Sequence, residues 1–297
     1  MASVTATPTI APTPLRARKK GTRWARFVEH VVAHAVLIVI SIVFFVPFFW
    51  MVVGSVKTLG DWARVPVVWF PHTITFENYI YGLRVFPFGR YLFNTVILCG
   101  STMIGAVLSS SFIAYGLARI EFPGRTAIFV TLLSTMMVPY FVTMVPLFTL
   151  FRSMGWTGTY APLIVPTFFG VPFFVFLLRQ FFRSIPSELT EAARIDGANE
   201  LRIYWQVILP LAKPALAAVA LFQYLFMWND LLGPLIYISN SDRYTLAVGL
   251  MFFKNQYSTS IGPMMAASTA MVLPVIIVFF LAQRYFIQGI TLTGVKG

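Results

Sequence analysis

Charge is scarce in this chain, so each acid or imidazole near an apolar run stands out. Asp230 ends the triplet Trp228, Asn229, Asp230 inside a long apolar stretch. A carboxylate in hydrocarbon is costly and marks a functional position by default. It can line a path for a solute together with Tyr224, Trp228 and Asn229. It can also carry a proton, or sit at the outer rim with its charge met by Asn229 and water. The shortage of other charge within the apolar runs argues against a proton relay. His30 and His34 are four apart, a spacing that places two metal ligands on one helix face. They lack an acidic or cysteine partner, so packing is the reading and no metal site is expected. Glu29 faces headgroups or basic neighbours. His72 lies in a connection with no partner nearby in sequence. No glycine-rich phosphate loop with Lys-Ser/Thr is present, and no serine elbow or His-Glu-x-x-His. The chain is therefore expected to have no catalytic residue of its own and not to hydrolyse ATP.

The elements that position these residues are apolar and long. Of 297 residues, 58% are hydrophobic and 11% charged, whereas soluble domains carry about 25% charge. Thirty are Phe. Solvation by lipid explains this composition. The net charge of +12 is read as Lys and Arg gathered on the cytoplasmic side rather than as a nucleic-acid surface. The single cysteine, Cys99, rules out an internal disulfide and a Cys-based metal site, and is read as packing.

Six apolar runs are long enough to span a bilayer, at about 20 residues each: 31–53, 91–117, 127–151, 162–182, 214–238 and 263–282. Residues 1–30 read as a disordered, basic cytoplasmic tail, rich in Thr, Pro and Ala up to Leu15 and basic from Arg16 to Arg26. The first run exceeds the apolar region of a signal peptide and no small-residue cleavage site follows, so it is read as a retained span. Residues 286–297 form a second cytoplasmic tail. With both termini inside, the predicted inner segments hold fifteen Lys and Arg and the outer ones seven, the expected bias. Pro47, Pro139, Pro146, Pro166, Pro172 and Pro274 fall within the runs and are expected to kink them.

Between the fourth and fifth runs, residues 183–213 are too polar for lipid. Ser187 is placed to cap a short helix, with Glu188 and Glu191 near its positive end. Gly197 is placed to end that helix. Asn199 then caps a second helix, whose residues Leu201, Tyr204, Trp205 and Ile208 share one apolar face. Pro210 ends it. By shape alone this helix, glycine turn and helix can be an amphipathic connection resting on the membrane.

The same stretch carries Glu191, Ala192, Ala193, then Gly197 four residues on, then Leu209 and Pro210, with Pro210 thirteen residues beyond the glycine. This resembles the EAA loop of bacterial ABC-importer permeases. Six of the seven defining positions match, and Val207 replaces the usual isoleucine. YGLARIEFPG at Tyr115–Gly124, the WND triplet at 228–230, YTLAVG at Tyr244–Gly249 and the ending GITLTGVKG at Gly289–Gly297 resemble the second, maltose-transporter-type permease of carbohydrate importers. The resemblance covers roughly Val31 to Gly297. It implies an all-α integral membrane protein, with the six-helix transmembrane domain of a type I importer and a cytoplasmic coupling helix. The implied location is the bacterial inner membrane. The implied function is a permease subunit that moves a sugar or sugar derivative by alternating access.

The resemblance also implies partners: a second permease subunit, a pair of ATPase subunits and an extracytoplasmic solute-binding protein, besides membrane lipid. No cofactor is expected on this chain, because ATP and Mg belong to the ATPase. Glu191, Ala192, Ala193, Gly197, Leu209 and Pro210 are then the ATPase-coupling residues. Small alanines allow close docking and Glu191 offers a charge to a basic partner. Gly294, Val295, Lys296 and Gly297 are a further candidate contact with the ATPase. Tyr140, Phe141, Tyr224 and Trp228 can stack on sugar rings or simply pack against lipid and other helices. A stand-alone secondary transporter or channel also explains six spans and Asp230, but not the EAA-like loop.

Overall fold

The computed structural model describes residues 23–256 and 261–294. The helices in order are α1 (Arg23–Ser55), α2 (Leu59–Trp62), α3 (Glu77–Arg84), α4 (Phe88–Arg119), α5 (Arg125–Thr135), α6 (Tyr140–Ser153), α7 (Ala161–Ile164), α8 (Pro172–Ser184), α9 (Ser187–Ile195), α10 (Glu200–Ile203), α11 (Leu209–Leu211), α12 (Lys213–Asn229), α13 (Leu232–Tyr237), α14 (Leu246–Gln256) and α15 (Ile261–Gly294). Residues up to Trp50 form one unit and those from Met51 a second. Within the first unit, α1 exposes its side chains from Phe27 to Pro47.

Among the described residues, four helical stretches are long and apolar enough to cross a membrane: Phe27–Ser55, Phe88–Arg119, Ala161–Ser184 and Ile261–Gln283. Two bent pairs make six if each counts as one span. Arg125–Thr135 and Tyr140–Ser153 meet at 96°, and Glu200–Leu211 and Lys213–Asn229 meet at 79°. The run expected at 127–151 is thus two helices, broken where Met136–Val138 turn and extended Pro139 starts α6. The run expected at 214–238 is α12, a turn at Asp230 and α13. The outer helices are longer than expected. α1 begins at Arg23, inside the tail drawn to residue 30, and α15 continues to Gly294, past the tail boundary at 286. No breaker stands at either place, and a helix need not stop at the edge of hydrocarbon. Residues 1–22 and Val295, Lys296 and Gly297 lie outside the described residues.

In the second unit α4 is the central helix, packed most extensively against α8 and α12. Lipid is as apolar as leucine, so helices in a membrane associate through close packing and shared hydrogen bonds. The α4 sequence suits that. Thr95, Thr102, Ala106, Ser110 and Ala114 are buried small or hydroxylic residues. Thr95 Oγ1 accepts the Leu246 N–H at 3.0 Å, Ser110 Oγ accepts the Val171 N–H at 3.1 Å, and Ser109 Oγ donates to the Thr167 carbonyl at 2.8 Å. Two apolar clusters result. One gathers Tyr115, Phe174, Leu178, Phe182, Ile203, Tyr204, Ile208 and Ala212 at the C-terminal end of α4. The other gathers Tyr91, Leu98, Cys99, Met227, Trp228 and Leu246 toward its N-terminal end.

The candidate coupling site

The loop 183–213 lies at the C-terminal end of α4. Pro186, with extended backbone (ψ 137°), is the N-cap of α9, and Ser187 is the first helical residue rather than the cap. Its carbonyl accepts from Thr190 Oγ1 at 2.7 Å.

The helix ends as a Schellman turn. Gly197 takes φ +79°, a left-handed conformation that favours glycine. Its N–H bonds the Arg194 carbonyl at 3.0 Å, and the Ala198 N–H reaches back to the Ala193 carbonyl at 2.9 Å. These two bonds satisfy carbonyls that a helix end leaves unpaired. Ala193 and Ala198 both pack on the apolar cluster beneath. Asn199 Oδ1 then accepts the Arg202 N–H at 2.8 Å and caps α10, as the sequence led us to expect.

α9 therefore has two faces. Thr190 and Ala193 point inward. Glu188, Leu189, Glu191, Ala192 and Ile195 are exposed, and Ile195 is 87% exposed. The two bulky apolar groups beside Glu191 were not singled out in the sequence. They show only once the inward face is known.

The expected apolar face of the second helix is divided. Tyr204 and Ile208 are buried, but Leu201 and Trp205 are each 57% exposed. The buried set is Ile203, Tyr204, Ile208 and Ala212. Residues 204–208 form a π-turn, which holds one residue more than an α-turn. Leu209 packs on the cluster and Pro210 is exposed.

Side chains fasten this loop to α4. Glu200 uses both carboxylate oxygens. Oε1 accepts from Arg194 Nε at 2.8 Å, and Oε2 accepts from the Tyr115 hydroxyl at 2.6 Å. The hydrogen bond from Arg194 is the main cause that holds the Glu200 carboxyl below the usual glutamate range, against burial, which raises it; Tyr115 adds to the lowering. The same bond raises Arg194. Arg119, the last residue of α4, donates through Nη2 to the Phe182 carbonyl at 2.5 Å and to the Ile185 carbonyl. Buried Arg179 of α8 donates through Nε to the Leu117 carbonyl at 3.0 Å and lies 3.8 Å over the Phe129 ring. The Ser111 and Tyr204 hydroxyls share a hydrogen at 2.7 Å. Glu200 was not among the residues that the sequence singled out. Tyr115 stood there only as the first residue of the YGLARIEFPG segment.

The other candidates are placed as follows. Tyr224 stacks on Trp228 with centroids 5.3 Å apart, and Trp228 is buried in the second cluster. Asn229 is exposed and donates to the Leu225 carbonyl at 2.8 Å. Asp230 Oδ1 accepts the Gly233 N–H at 3.0 Å, in the first turn of α13. The approach is close: a Cβ on Gly233 would lie 2.4 Å from Asp230 Oδ2 and 2.8 Å from Leu163. Tyr140 and Phe141 are exposed. His34 Nδ1 lies 2.7 Å from the His30 carbonyl of its own helix, and no metal-binding cluster occurs among the described residues.

His72 has partners that the sequence did not suggest. Its Nδ1 lies 2.9 Å from Asp61 Oδ1, and Arg64 Nη1 lies 3.0 Å from its Nε2. Gly294 closes α15; the remainder of that expected contact falls on undescribed residues.

Comparison with known proteins gives the same family as the loop. The model of the binding-protein-dependent transport system inner membrane component matches residues 106–292. The diacetylchitobiose uptake system permease protein NgcG of Streptomyces coelicolor is 37% identical, over 85% of this chain and 84% of that protein. The arabinooligosaccharides transport system permease protein AraQ of Bacillus subtilis is 36% identical, over 87% of this chain and 92% of that protein. A solved bacterial ABC transporter involved in import of the acidic polysaccharide alginate superposes with a TM-score of 0.76 at 25% identity, covering 92% of this chain and 100% of that one. An all-helical chain with this loop and these relatives belongs to the binding-protein-dependent transport system inner membrane component family, and is a permease subunit of an ABC importer with the type I fold.

Proposed function

We propose that this permease carries a sugar or sugar derivative inward across the bacterial inner membrane, and that a separate ATPase drives it by docking on the exposed face of α9. The observation that carries the docking reading is the division of α9. Its inner face and both its ends are held by the chain, while Glu188, Leu189, Glu191, Ala192 and Ile195 face outward. A carboxylate among small and apolar side chains suits a groove with a basic residue in it. On this reading both termini lie in the cytoplasm. ATP and Mg sit on the ATPase pair, a second permease completes the path, and a solute-binding protein delivers the sugar from outside. The sugar class is supported by what NgcG and AraQ are named for.

Co-purification in detergent with the neighbouring gene products tests the docking. The wild-type chain is expected to retain an ATPase that Glu191→Lys loses, by about tenfold if reversal of the charge costs about 1.4 kcal/mol. Equal recovery from both overturns the docking reading. Uptake that persists without ATP makes the chain a secondary transporter or channel instead. Growth of a deletion strain on a panel of oligosaccharides tests the substrate class, and unchanged growth on every sugar overturns it.

A further inference from the structure

We propose that Glu200 is a positioning residue which, with Tyr115 and Arg194, clamps the docking helix to α4 so that displacement of α9 is relayed into the membrane core. The proposal rests on α9 being the docking helix.

α9 is held at both ends by one element. At its entry, Arg119 binds the carbonyls of Phe182 and Ile185, just before Pro186. At its exit, Arg194 of the last turn is joined through Glu200 to Tyr115. Tyr115 and Arg119 lie four apart in the final turns of α4, so they project from one side of that helix.

Between Arg194 and Glu200 the backbone passes through Gly197 in its left-handed conformation. A glycine turn is the most compliant part of such a hairpin. Backbone alone would let α9 swing about it while α10 stayed in place. The carboxylate spans that joint with charge-assisted bonds on both sides, which are shorter and stronger than neutral ones. The link leads directly to α4, the helix against which α8 and α12 pack most extensively.

A contact that serves only folding and one that relays motion differ in how they respond to nucleotide. The measurement is amide hydrogen exchange on the assembled complex in nanodiscs, without nucleotide and with ATP plus vanadate. In the wild type, exchange is expected to change across both 187–199 and 110–119. Tyr115→Phe removes one hydroxyl and keeps the ring; Glu200→Gln keeps the shape and removes the charge. Both are expected to keep the ATPase bound and the response of 187–199. The response of 110–119 is expected to fall by about fivefold or more, the lower end of measured site-to-site couplings.

An undiminished response of 110–119 in both variants overturns the proposal. So does a wild type that responds only at 187–199, or a variant that loses the ATPase, since the contacts would then belong to docking itself. Glu191→Lys separates the two readings. If the ATPase stays bound to it, the docking reading fails. If it is released while Tyr115→Phe still relays, only the clamp fails.

Discussion

The connection from α1 to α4 and the loop from α8 to α12 lie at opposite ends of α4, whose 32 residues span about 48 Å. In the first, several side chains are tied to backbone. Buried Lys57 donates to the Val68 carbonyl at 2.5 Å, and Asn78 Nδ2 donates to the carbonyls of Ser55 and Lys57 at 3.0 and 2.7 Å. Those bonds fix a local loop to itself. In the second, Glu200 joins side chains of two helices across a glycine turn. Those bonds fix one element to another. The difference teaches that two connections of one bundle can be tied to it by different means. The first meets the bundle by close packing, α3 against α15, where a Cβ on Gly82 would lie 2.5 Å from the Pro263 carbonyl oxygen, and the second meets it through hydrogen bonds between side chains.

Three substitutions or conditions put pressure on this contrast, from the largest expected effect to the smallest. Gly197→Val forces a β-branched residue to φ +79°, where an L side chain costs about 1–2 kcal/mol or more. It breaks the Schellman turn that presents α9. Co-purified ATPase is expected to fall below one tenth of wild type, and recovery above half would mean the turn does not set the docking face. Lys57→Met leaves the Val68 carbonyl without its donor, at about 1–3 kcal/mol. The thermal midpoint is expected to drop while ATPase recovery stays at the wild-type level. Loss of the ATPase here would erase the distinction between the two ends.

The smallest effect is that of pH. The Glu200 carboxyl is lowered mainly by Arg194. Burial raises Asp61, but hydrogen bonds from His72 and Thr58 outweigh it, so it too ends below its usual value. A lowered carboxyl contributes stability above its unfolded value, about 4, and loses it as pH falls through the folded one. Contributions from both residues are therefore expected to be flat from neutral pH down to the ordinary carboxylate range. Tyr115→Phe and wild type compared by thermal melting across that window should differ by a constant amount. A difference that shrinks near pH 6 would show that Glu200 is not held low.

Much of this was legible in the sequence, and the limits have physical reasons. The apolar runs could be read because lipid demands about 20 apolar residues in a row wherever a helix crosses. The glycine turn could be read because its chemistry is local: Gly197 ends one helix and Asn199 caps the next within two residues. The clamp could not, because Tyr115 and Glu200 are 85 residues apart and neither residue type marks its partner. The pairing of His72 with Asp61 escaped for the same reason across 11 residues. The sequence placed Leu201, Tyr204, Trp205 and Ile208 on one apolar face but could not say which of them the chain itself buries, because that depends on what packs against the helix. The break at Met136–Pro139 escaped because proline marks a kink without giving its angle.

The 79° corner between Glu200–Leu211 and Lys213–Asn229 has a mechanical consequence. Two stiff arms meeting near a right angle form a bell crank, which turns a push along one axis into a sweep across the other. The shorter arm carries the loop and the longer arm is the 17 residues of α12, about 25 Å of helix. A turn of about 10° at the corner carries the far tip of that arm, where Trp228 and Asn229 sit, through about 4 Å. That is on the order of the width of a side chain, so a modest stroke at one end of the molecule displaces groups at the other by a whole side chain.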